Sequence, residues 1–258
     1  MRRLSLAIKL LLALVALLAL GTVAAHAAPA VPTPSADPAL SIPLPGNNQD
    51  PGTNLSILGL FTLITIAPSM LIMMTGFTRI LIVLGFLRNA LGTPSIPPNQ
   101  VLVGFSLFLT IFVMGPTFSQ MNEKALQPYL AGTSDAKTAI QEAEKPLRTF
   151  MLKQTGNSEL AMFVKLSRQK PPANADELKL TTLVPAFMIS EVKTAFQIGF
   201  LIYIPFLIID LVVASTLMSM GMMMLPPAMI SLPFKLLLFV LVDGWSLLAQ
   251  NLVAGFHV

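Results

Sequence analysis

Met218-Ser219-Met220-Gly221-Met222-Met223-Met224-Leu225-Pro226-Pro227 joins two long apolar arms, about Leu183–Thr216 and Pro226–Ala254. Two apolar arms meeting at a short turn form a helical hairpin, and each exceeds the roughly 20 residues that one bilayer span requires. The arms must therefore tilt, kink at Pro205 and Pro233, or project beyond the hydrocarbon. The turn itself holds five methionines in ten residues, closed by a proline pair. Methionine is unbranched and polarizable, so it fills irregular gaps and moulds to varying shapes. On a helix face it would be ordinary filler. Here it sits beside Gly221, where the backbone is free to loop inward. A ring of such loops would make a hydrophobic constriction that excludes water.

The arms also carry charge. Glu191, Lys193, Asp210, Lys235 and Asp243 interrupt otherwise apolar helices. Each costs about 2.5–3.5 kcal/mol near the centre of an inserted helix. Three arrangements answer that penalty: ion pairs across the hairpin of one chain, pairs between neighbouring copies or different subunits, and a proton relay. The relay is the weakest, because no second acid stands at helical spacing from Asp210.

Composition sets the class. The 258 residues are 54% hydrophobic and 11% charged, with a mean hydropathy of +0.76, a balance that belongs to membrane-embedded proteins. Cysteine is absent, which excludes disulfides and thiolate metal sites. The formal charge of +4 falls to +1 without Arg2, Arg3 and Lys9, so nothing points to nucleic acid. No metal-binding spacing, phosphate-cradling glycine loop or Ser/His/Asp set is visible, and the chain reads as a non-enzyme without cofactors.

Residues 1–27 read as a cleavable leader: Arg2 and Arg3, an apolar run Leu10–Leu20, then Ala25-His26-Ala27. Residues 28–54 form a proline-rich tether. Residues 55–119 form a first apolar hairpin, with Leu55–Met74 as a span kinked at Pro68 and Val101–Phe118 as a second stretch ending near Pro116. Residues 120–182 hold nine basic and seven acidic residues and form a small helical module outside the membrane. Leu147, Phe150 and Met151, then Leu160, Phe163 and Val164, recur at helical spacing and predict two amphipathic helices. Pro146 restarts the first, Ser158 caps the second, and Pro171-Pro172 ends it. Residues 183–258 are the second hairpin. A cleaved leader places the 120–182 module outside and the short Arg79–Asn99 loop inside, where Arg79 and Arg88 satisfy the positive-inside rule.

Two long blocks carry a family resemblance. One runs from Thr78-Arg79-Ile80-Leu81-Ile82-Val83 through Leu87-Arg88-Asn89-Ala90-Leu91-Gly92 to Pro97-Pro98-Asn99-Gln100. The other runs from Leu183-Val184-Pro185-Ala186-Phe187 and Glu191-Val192-Lys193-Thr194-Ala195-Phe196 through the methionine turn to Pro233-Phe234-Lys235. Over about residues 55–256 the chain resembles the FliP/SctR family of type III secretion export gates. The leader and the Thr93-Pro94-Ser95-Ile96-Pro97-Pro98-Asn99-Gln100 run look flagellar; the Leu-Arg-Asn-Ala-Leu-Gly block is shared with injectisome relatives.

The resemblance implies five copies assembled with FliR and FliQ, beside FlhB and FlhA, into a helical ring in the bacterial inner membrane that passes unfolded flagellar subunits. It implies that Met218, Met220, Met222, Met223 and Met224 form the pore gasket. It implies that Glu191 and Lys235 pair between adjacent subunits, that Asp210 faces FliQ, and that Phe150 and Phe163 contact neighbours in the oligomer. It also implies that much of the hairpin material is lifted out of the bilayer. The rivals are an ion or solute transporter and a scaffold that lines no pore.

Overall fold

The computed structural model describes residues 72–167, 178–222 and 224–257, with scattered positions between 59 and 70. The expected leader and tether, most of the Leu55–Met74 span with its Pro68, and the Pro171-Pro172 stop lie outside the described residues. Within them the chain is all helical.

Helix α1, Phe77–Ala90, buries Ile80, Val83, Leu84, Leu87 and Ala90, the i, i+3, i+4, i+7 stripe of a core helix. Gly92 ends it with φ +77°, a left-handed conformation that glycine adopts most readily, and Thr93 N–H reaches back to the Arg88 carbonyl at 3.3 Å. Arg88 spans the following loop by donating to Asn99 Oδ1 at 2.6 Å.

Helix α2, Asn99–Met121, continues through a π-helical turn, Asn122–Leu126, and the short α3, Gln127–Leu130. The result is one apolar rod, Asn99–Leu130. The expected stop at Pro116 does not occur. A missing proline N–H removes one helical bond, and burial of Val113, Met114 and Thr117 on the same turns outweighs it.

Helix α4, Ala136–Gln154, starts where Asp135 accepts from Thr138 N–H at 3.3 Å. It runs unbroken through a buried Pro146, which therefore does not restart it. Helix α5, Asn157–Leu166, begins at Gly156 rather than at a Ser158 cap. Gly156 N–H is fixed instead by Ser190 Oγ at 2.9 Å, and Ser158 Oγ donates to Glu159 at 2.7 Å.

Helix α6, Leu180–Ser219, is a single 40-residue helix through both Pro185 and Pro205. At 1.5 Å per residue it is about 60 Å long, twice the hydrocarbon thickness. After the methionine turn come α7, Pro227–Leu241, and α8, Gly244–Ala254, at 64° to each other. The break falls at Asp243, not at Pro233. Asp243 takes φ +49°, a left-handed conformation that Asp tolerates better than most residues, and the Phe239 ring packs where a Cβ on Gly244 would stand.

One core serves the whole described chain. Ile80 and Leu84 of α1, Met114 of α2, Met151 of α4, Leu183 and Phe187 of α6 and Leu252 of α8 belong to a single buried cluster. The helices of residues 136–166 share that core rather than building their own. Gly199 lets α6 approach α1 closely, since a Cβ there would meet the Phe86 ring at 2.5 Å. Asn99–Leu130 and Leu180–Ser219 are long and apolar enough to cross a membrane, and the bent α7–α8 pair makes a third candidate.

Candidate functional site

Three features stand out along α6: a buried ionic node near its start, a second node beyond its middle, and the bare turn at its end. The first is built on Arg79. Its Nε donates to Glu191 Oε2 at 2.9 Å, and its Nη2 pairs with the other carboxylate oxygen. Nη1 donates to the Gly255 carbonyl at 2.9 Å, and the guanidinium lies 4.1 Å from the Phe256 ring centroid. Glu191 is fully buried and Arg79 nearly so. A bidentate arginine–carboxylate pair with its remaining donors satisfied is the geometry in which burial of two charges is tolerated.

Around that node, Gln154 Nε2 donates to the His257 carbonyl at 2.8 Å, and Ser190 Oγ donates to the Gln154 carbonyl at 3.2 Å. Lys193 Nζ donates to Glu159 Oε1 at 2.7 Å and, with Ser158, lowers that carboxyl to a pKa of about 2. A polar cavity of about 400 Å³ opens beside the node, lined among others by Lys153, Thr194 and Gln197. Its charged walls are largely matched already: Arg79 by Glu191 and Lys193 by Glu159. Among the described residues no three His, Cys, Asp or Glu side chains could hold a metal ion.

The second node joins the two hairpin arms. Lys235 Nζ donates to Asp210 Oδ2 at 2.6 Å and to the Ala90 carbonyl at 3.2 Å, while Ser231 Oγ donates to Asp210 Oδ1 at 2.6 Å. Lys235 is buried, but 38% of the Asp210 side chain remains open.

These nodes change the reading of the charges. Glu191 and Lys235 are not brought together: each finds another partner in its own chain, Arg79 and Asp210. Lys193 is paired within the chain as well, and Asp243 is exposed at the α7–α8 break. Arg79, expected as an inside-loop charge, is a core residue of α1. Phe150, expected at an oligomer contact, is 3% exposed between Phe187 and Phe256, because the core needs its ring. Phe163 is half-buried. Sequence reasoning missed Arg79, Gln154 and Ser231 as partners. The one available signal was a lone arginine inside an apolar run, the natural complement of a lone glutamate in another.

The turn at the hairpin tip is bare. Gly221 has φ +76°, and Met222 N–H closes the helix end on the Leu217 carbonyl at 3.0 Å. Met218, Met220, Met222 and Met224 are all exposed, Met224 at 99%; Met223 lies outside the described residues. Contiguous exposed apolar surface of this kind marks an interaction surface.

A family model described as the FliP family matches residues 60–252. The chain is 54% identical over 213 residues to the flagellar biosynthetic protein FliP of Bacillus subtilis, covering 81% of this chain and 96% of that protein. It is 52% identical to the FliP of Pectobacterium carotovorum, over 83% of each chain. It is 46% identical to the FliP of Treponema pallidum, over 82% of this chain and 79% of that one.

Proposed function

The chain belongs to the FliP family, and from that premise we propose that it is a core subunit of the flagellar type III protein-export gate. Copies of it form a ring, five by the family resemblance, with FliR and FliQ and alongside FlhB and FlhA in the bacterial inner membrane. Unfolded flagellar subunits pass through the centre. The methionine turn is the gasket: it limits leakage at rest and deforms around a passing chain, as flexible thioethers can. The role is mechanical rather than catalytic.

The observation that carries this reading is the contrast in exposure along one helix. The arm's charges are satisfied within the chain, while the side chains at its tip are left bare with no partner of their own. A transporter would need the acid within its apolar arm available, and here the fully buried Glu191 is held by Arg79.

The test is Met222→Cys in a chain that otherwise has no cysteine. In cells arrested with a stalled export substrate, this position cross-links to the substrate polypeptide. Absence of a cross-link in an assembled gate overturns the gasket.

A further inference from the structure

Helix α6 divides near its middle. Eight of its nine buried residues lie between Thr182 and Gly199, and beyond Pro205 only Phe206 is buried. Proline has no N–H, so each proline leaves the carbonyl four residues earlier without its helical donor. Pro185 makes that omission inside the clamped half, between Leu183 and the Ala186–Phe187 pair, all at 0% exposure. Pro205 makes it at an exposed position where the clamped half ends.

The other arm is also broken at its base, at Val242-Asp243, where Asp243 is left-handed and the chain bends by 64°. Pro205 and Asp243 each lie about four helical turns from the methionine turn. Between them the base is lined by rings rather than bonds. Phe206 and Phe239 stand 6.5 Å apart, Phe239 and Trp245 5.4 Å, and Trp245 and Phe105 of α2 6.3 Å. These rings meet edge-on or tilted, and such apolar contacts tolerate a wider range of geometries than hydrogen bonds do. The polar tie from this hairpin to the block runs through Lys235, which reaches the Ala90 carbonyl at the end of α1.

We propose that residues 206–242 swing as one body on a double hinge, Pro205 in one arm and Val242-Asp243 in the other, with the Lys235–Ala90 bond as the latch. The proposal rests on the export-gate reading and supplies its moving part. An arm of about 22 Å turning through about 20° displaces its tip by about 8 Å. That is comparable to the roughly 5–10 Å cross-section of an extended chain. The Asp210–Lys235 pair holds the two arms together, so the hairpin tilts without opening.

The test is Pro205→Ala, which restores the missing donor and should fold at least as well as the parent. Spin labels go on cysteines replacing Phe196, in the clamped half, and Met220, at the tip; both positions are exposed. Labelled chains are diluted with unlabelled ones in the assembled gate. The parent gives a broad distance distribution and Pro205→Ala a narrow one. Export through the Pro205→Ala gate falls about fivefold at unchanged assembly, as expected where a conformational step limits rate. Pro185→Ala changes neither. An unchanged distribution, export within about twofold of the parent, or an equal effect at Pro185 overturns the hinge. The Met222 cross-link to substrate requires no hinge, so its absence in an assembled gate would overturn the gasket alone, and its persistence would leave the gasket standing whatever the hinge test gives.

Discussion

The two ionic nodes of the hairpin helix use the same chemistry to different ends. Arg79–Glu191 is closed: both side chains are out of water, and every element near it contributes a bond or a ring. Lys235–Asp210 is half open, with a buried cation and a carboxylate that still shows 38% of its surface. A closed pair fixes how a chain folds. A half-open pair keeps lone pairs free for a second partner. The first node therefore belongs to the subunit's own architecture, and the second is the one suited to an interface.

Breaking the closed node should have the largest effect. Glu191→Ala leaves Arg79 buried and unpaired, which costs about 3–5 kcal/mol. The expected outcome is a chain cleared from the membrane, read as steady-state level on a blot. Exchanging the charges as Arg79→Glu with Glu191→Arg should recover part of that level. Reversing Glu191 together with Lys235 should recover none, because each leaves its own partner behind. Recovery by the second exchange would move both residues to a subunit interface.

The aromatic positions sharpen the same contrast. Phe150→Ala empties a site enclosed by Phe187 and Phe256 and should cost about 3–4 kcal/mol in the melting of the purified chain. Phe163→Ala, at a half-buried ring, should cost about 1 kcal/mol or less by the same removal of apolar area. If Phe163→Ala nevertheless abolishes ring assembly on native gels while the monomer melts normally, its ring belongs to the subunit interface.

The hairpin and its turn were legible in the sequence because their composition is extreme: long apolar runs with only five charges between them, and a methionine cluster, leave few alternatives. Helix boundaries at Pro116, Pro146 and Pro233 were not. A proline's penalty is local and known, but the burial that offsets it depends on which neighbours the fold brings in. The partner of Glu191 was hidden for a related reason. Arg79 lies 112 residues away, so no spacing links the two, and an arginine near a turn invites the loop assignment that the positive-inside rule rewards. Phe150 was read as an interface residue from resemblance alone; helical spacing says which face is apolar, not what covers it.

Asp210→Asn keeps the shape and removes the charge, so it probes the open node alone. With the carboxylate partly in water but Lys235 buried, and with the amide still able to accept its hydrogen bond, the loss within the chain should be about 1–3 kcal/mol, less than at the closed node. Co-purification with a neighbouring subunit should fall well beyond that. A variant that loses stability but keeps its neighbours would make this pair as private as the first.

The smallest effect belongs to Glu159–Lys193, a pair at the rim of the closed node. Lys193 donates to the carboxylate and, with Ser158, holds its pKa near 2, against an ordinary value of 4.5. A carboxyl whose pKa is lowered by folding adds stability above its unfolded pKa and loses it as pH falls toward the folded one. The contribution is therefore complete above about pH 5 and gone near pH 2. The melting temperatures of the parent and of Glu159→Gln should differ by a constant amount at neutral pH and converge as the pH drops through that window. Comparing the two proteins at each pH cancels the other carboxyls. A difference that stays flat down to pH 2 would mean that Glu159 acts by shape at the start of α5 and not by charge. The rim would then tie α5 to α6 by packing, and Arg79–Glu191, between α1 and α6, would be the pair of this node that acts by charge.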